Sequence, residues 1–136
     1  MWGRNNPNEP MTPEIETAVT AAEAAAVATD GPHGLNVVPI SVFEAVDGEV
    51  RICHFFLRKT IENITANPTV AFTCWAGLSG VQVHAQATVE REGELFRSYQ
   101  VRMKERFPER TLQAVVRLMP IAVYSVTPGE AGRALE

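Results

Sequence analysis

A chain of 136 residues, 46% of them hydrophobic and only 21% charged, suits one domain around a single core and is too apolar for a disordered protein. A formal net charge of -4 excludes general nucleic-acid binding, which needs a basic field to displace counterions from phosphates, so any basic site must be local. No apolar run approaches the roughly 18 residues of a membrane helix, and MWGRNNPNEP lacks the apolar stretch of an export signal, so a cytoplasmic protein is expected.

In chain order, Met1 to Met11 is polar and Pro-bearing and reads as a mobile arm, with a single domain from Thr12 to Glu136. Thr12, Pro13 and Glu14 supply an N-cap, a first-turn proline and a first-turn acid, predicting a helix to about Glu23. The run AAAVATDGPHGLNVVPISVF predicts strand, turn, strand: apolar residues to Thr29, breakers from Asp30 to Gly34, then β-branched residues to Phe43. Asp47-Gly48 marks a hairpin turn before a strand from Glu49 to Phe55.

From Leu57 to Asn67 the spacing predicts a short helix, with Leu57, Ile61 and Ile64 on one face and a stop at Asn67-Pro68. TVAFTCW and GVQVHAQATVE predict two more strands joined at Gly77 to Gly80, the second placing Val81, Val83, Ala85, Ala87 and Val89 on one face. GELFRSYQVRMKERF predicts an amphipathic helix carrying Leu95, Phe96, Tyr99 and Met103, and PIAVYSVTP a last strand; residues 108–118 carry no clear pattern. Six short strands with three peripheral helices describe a mainly β protein, a small antiparallel barrel.

Candidate chemistry is sparse. His33, His54 and His84 are scattered, and Cys53 and His54 fall on opposite sides of a strand, so no metal-ligand spacing exists; the two isolated cysteines read as buried free thiols. Glu90, Glu92 and Glu94 flank a turn as a solvated acidic edge, and Gln82, His84 and Gln86 share a face that either lines a polar cavity or, the plainer reading, meets water. One feature stands out. The Leu57–Asn67 helix opens with Arg58 and Lys59, cations where the helix dipole favours anions. With Thr60 and the backbone N–H groups of a helix start they form a phosphate cradle. The plainer reading is two solvated cations and a Thr60 that caps the helix.

The order DGPHGLNVVPISV, DGEVRICHFFLRKTIENITANPTVAFTCW, GVQVHAQATVEREGELF resembles the FMN-binding split-barrel family, which includes pyridoxamine 5'-phosphate oxidases and small bacterial FMN-binding proteins. The likeness spans about Ala24 to Val126, and its most specific part is the Lys59-Thr60 step followed by an apolar-faced helix and Asn-Pro. It implies a six-stranded antiparallel split β-barrel that pairs as a homodimer, with FMN between the subunits. By the same resemblance Lys59 and Thr60 match the phosphate-binding pair with Arg58 assisting, and Asn36, Val37, Val38, Pro39, Ile40 and Ser41 match the strand beside the flavin ring and ribityl chain. Cys53 and His54 match the second flavin-contacting strand, and Gln82 is a weaker match.

Asn36 and Ser41 stand where the oxidases commonly place Arg and Lys, and TPGEAGRALE shows no trace of their substrate-binding ending, which speaks against pyridoxamine phosphate oxidation. The implied function is an FMN-dependent oxidoreductase with a small-molecule redox partner. A non-catalytic FMN-binding or electron-transfer protein, or a split barrel using deazaflavin or haem, is the alternative.

Overall fold

A computed structural model describes residues 11–135 of the chain. Thr12 opens helix α1 (Pro13–Ala21) by accepting the Ile15 N–H at its hydroxyl, 3.3 Å, and Ile15 and Val19 turn the apolar side of the helix into the core. Met11 is itself buried, so the expected mobile arm does not extend to it; the rest of that arm lies outside the described residues.

Seven strands form one antiparallel sheet: β1 (Ala24–Thr29), β2 (Asn36–Ile40), β3 (Phe43–Val46), β4 (Glu49–His54), β5 (Thr69–Ala76), β6 (Ser79–Glu90) and β7 (Ala114–Ser125). Their order is β2-β1-β5-β6-β7-β4-β3. The strands at the two edges, β2 and β3, follow one another in the chain with only Ser41 and Val42 between them. So short a link cannot cross a flat sheet, and the sheet curls until its edges meet. The Cys53 N–H donates to the Val42 carbonyl of this link, 3.0 Å, which carries the β3–β4 ladder on to the link. This is the split barrel, with one strand more than six because the run to Phe43 breaks at Ser41-Val42. Asp47 and Gly48, both at positive φ, close the β3–β4 hairpin.

Strand β7 begins six positions before the expected start at Pro120, inside the stretch that carried no pattern. Pro120 sits beside an irregularity where β6 shifts register between His84 and Ala85, leaving Ile121 unpaired. A proline lacks the N–H a ladder needs, and a bulge is where a long strand tolerates one.

Alternation along the strands fills the barrel with Val27, Phe72, Val83, Leu118 and Val123, closed by α1 and by Ile61 and Ile64 of α2 (Arg58–Ala66). Helix α3 (Gly93–Arg106) lays Phe96, Tyr99 and Met103 on the outer side of β4 and β7, against Val42, Cys53, Phe55 and Val115. Beneath α3, Glu49 accepts from Arg51 at 2.8 Å and from Arg117 at 2.7 Å. Burial opposes its charge, but these hydrogen bonds win and hold its carboxyl below the usual range. Among the described residues no helix is long and apolar enough to cross a membrane.

Candidate functional site

The seam of the split barrel leaves a cleft of about 220 Å³, lined by Pro39, Ile40 and Ser41 from the end of β2, by Cys53 of β4, by Phe55, Phe56 and Leu57 leading into α2, and by Arg110. It lies where β2 runs on towards β3 and β4 turns into α2. The expected flavin-side strand therefore divides. Pro39, Ile40 and Ser41 reach the cleft, Val38 packs on the core, and Val37 is 68% exposed. Asn36, at the other end of β2, donates from Nδ2 to the Thr60 hydroxyl, 3.2 Å, tying that strand to the first turn of α2.

That contact changes the reading of Thr60. It is the third residue of the helix and buried, and Leu57 is the N-cap residue, with no side-chain hydrogen bond capping the helix. Thr60 is thus not the cap. Its oxygen serves Asn36 and its own O–H remains a donor. Arg58 is exposed and leans back on Glu62, 3.7 Å, whereas Lys59 is exposed and meets no carboxylate among the described residues. The first turn of α2 holds no acid. A helix start that combines free N–H groups, Lys59 and the Thr60 hydroxyl is chemically suited to a phosphate.

Asn63 holds this helix in place. It is fully buried, accepts the His33 N–H at 3.0 Å, and donates to the Thr29 hydroxyl at 3.1 Å and the Gly34 carbonyl at 3.0 Å, clamping the β1–β2 turn onto α2. Cys53 and His54 part company, as strand alternation requires. Cys53 borders the cleft, while His54 is buried with its Nδ1 accepting the Leu57 N–H at 2.9 Å. Burial pushes the Cys53 and Cys74 thiols up to about 11, so both are neutral and inert near neutral pH. Gln82 lies on β6 opposite Thr73 and Tyr124, away from the residues that line the cleft.

Sequence reasoning missed Phe55, Phe56 and Arg110. The guanidinium of Arg110 stacks over Phe107 at 4.2 Å and Phe55 at 5.4 Å, which fixes a cation at the cleft wall. No periodicity marks it, because it sits in the turn between α3 and β7. Among the described residues no cluster of three His, Cys, Asp or Glu side chains is placed to hold a metal ion.

The curled antiparallel sheet, with its short β2–β3 link and a cleft beside the start of α2, defines a split-barrel protein. Residues 11–132 match the family model of pyridoxamine 5'-phosphate oxidase, and the chain belongs to that family. No curated protein matches the sequence closely enough to count as a relative. Among solved structures, HupZ of Group A Streptococcus superposes with a TM-score of 0.77 at 18% identity, covering 90% of this chain and 98% of that one. An FMN-binding protein of Syntrophomonas wolfei gives 0.68 at 18% identity over 83% and 84% of the two chains. HutZ, the heme storage protein of Vibrio cholerae, gives 0.62 at 20% identity over 82% and 91%.

Proposed function

We propose that this protein binds FMN at the seam of the split barrel and acts as an FMN-dependent oxidoreductase toward a small-molecule redox partner. The observation that carries this reading is the first turn of α2: an exposed Lys59 without a carboxylate partner among the described residues, a Thr60 hydroxyl braced by Asn36, and no first-turn acid, all next to the cleft of about 220 Å³. In this reading Lys59 and Thr60 hold the phosphate. Pro39, Ile40, Ser41 and Cys53 face the ring system, and Arg110 closes the far wall. Arg58 contributes less, since Glu62 already balances its charge. Bound flavin supplies the redox chemistry; the chain supplies placement, exclusion of water and a positive field. Family membership and the similar FMN-binding structure support the same cofactor.

We further propose a homodimer. The outer face of the sheet carries no charged residue along β1 or β5 and only Glu90 on β6. Its groove of about 350 Å³ is lined by Ala28, Leu35, Ala71, His84 and Ile121, with Asp30 the one carboxylate at it, and Leu35 is 88% exposed. A face this poor in charge suits a second copy of the same chain.

The test is an absorption spectrum of the purified protein, followed by fluorescence titration of the apo protein with FMN and with riboflavin. A flavin spectrum and a preference for FMN of about tenfold or more is the expected result. A haem or deazaflavin spectrum, or equal affinity for riboflavin, overturns the cofactor assignment. Anaerobic addition of NADH or NADPH then separates an enzyme, whose flavin bleaches, from a carrier.

A further inference from the structure

His54 lies between the two backbone segments that wall the cleft, yet its ring is not among the groups that line it. It ends β4 opposite Ala114, and only 7% of it is exposed. Its carbonyl accepts the Gln113 N–H at 2.8 Å, anchoring the end of the turn that carries Arg110. Its Nδ1 accepts the Leu57 N–H at 2.9 Å, anchoring the segment that carries Phe55 and Phe56. Leu57 is the N-cap residue of α2. In a capping box the N–H of that residue is taken by a Glu or Gln at the third helical position. Here that position is Thr60, whose hydroxyl is engaged with Asn36, and the imidazole three residues upstream takes the N–H instead.

We infer that His54 is a positioning residue for the cofactor site: its ring sets where the Lys59-Thr60 turn begins, and its carbonyl sets the opposite wall. The inference rests on the cofactor reading proposed above. Accepting at Nδ1 requires a lone pair there, which assigns the ring proton to Nε2 and makes the residue a structural acceptor rather than a proton donor to the ligand. Burial of the ring first, and then the field of Arg91 at the turn before α3, hold the imidazole below its ordinary value and so favour the neutral form.

Two variants separate the acceptor from the bulk. His54→Asn keeps an acceptor oxygen near the Nδ1 position, and His54→Leu removes it while keeping an apolar side chain. FMN and riboflavin affinities are measured for each by fluorescence titration, together with amide hydrogen exchange of Leu57 in the apo protein. The expected result is a loss of FMN affinity of about tenfold or more in His54→Leu, with riboflavin affected less and His54→Asn close to wild type. The Leu57 amide should be protected in wild type and His54→Asn and exchange freely in His54→Leu.

An unchanged preference for FMN in a folded His54→Leu variant overturns the inference, as does an Asn variant no better than the Leu variant. Should wild type show no preference for FMN, the phosphate reading fails on its own account, and the Leu57 amide still decides whether His54 fixes the helix start. A freely exchanging Leu57 amide in wild type overturns it, including where His54→Leu does not fold.

Discussion

At the scale of single residues, charge placement around α2 makes the clearest statement. Removing Lys59 takes a cation away from the positive end of a helix and installs the best helix former, so Lys59→Ala should leave the apo melting temperature unchanged or slightly raised. FMN affinity should fall by about tenfold or more, the scale of a lost charge-assisted contact of roughly 1.5 kcal/mol or above. Melting curves run beside flavin titrations check both halves, and a sharp drop in melting temperature with unchanged affinity would make Lys59 structural. His54 supplies a pH signature. Burial first, and then Arg91, hold its imidazole below its ordinary 6.5, so the folded chain binds fewer protons there than the unfolded one. Its contribution to stability is therefore complete above about 6.5 and is lost as the pH falls through the folded value. Urea unfolding of wild type at about pH 7.5 and about pH 5 should show this loss, and in His54→Asn, which cannot titrate, the difference should shrink.

At the scale of elements, the clamp between the β1–β2 turn and α2 leaves no room for a side chain at Gly31. A Cβ at Gly31 would lie 2.8 Å from the Asn63 Cα and 2.8 Å from its side-chain oxygen. Asn63 cannot withdraw without abandoning His33, Thr29 and Gly34. Gly31→Ala should accordingly cost about 1–3 kcal/mol in urea unfolding, the range for overpacking a filled site, and should weaken FMN binding through displacement of α2. A variant as stable as wild type would show that the turn yields. Each element's length follows from local chemistry of the same kind: Thr12 and Pro13 start α1, Asp47-Gly48 turns β3 into β4, and Pro120 survives inside β7 because the bulge at Ile121 relieves it.

On the scale of the whole molecule, the charge-poor outer face of β1 and β5 predicts that Ala71→Glu, which plants a carboxylate in its middle, yields a monomer by light scattering with little loss of chain stability, whereas wild type runs as a dimer. A monomeric wild type with flavin bound would remove the dimer proposal. Local chemistry along the chain encodes the three helices, the hairpin turns, six of the seven strands, the core positions set by alternation, and the misplaced cations at Arg58 and Lys59, but not the break at Ser41-Val42 or the start of β7 at Ala114. The sequence also carried the family likeness, which the match over residues 11–132 bears out. What depends on distant segments meeting leaves no mark along the chain. Thr60 reads as a cap until Asn36 arrives from another strand to take its hydroxyl, and His54 reads as a ligand contact until strand alternation buries it beneath Leu57. Arg110 lies in a stretch without periodicity, and it gains a place at the cleft only because the curled sheet brings the α3–β7 turn against the seam. A pattern along the chain records which face a side chain takes; which partner waits there is set by closure of the sheet.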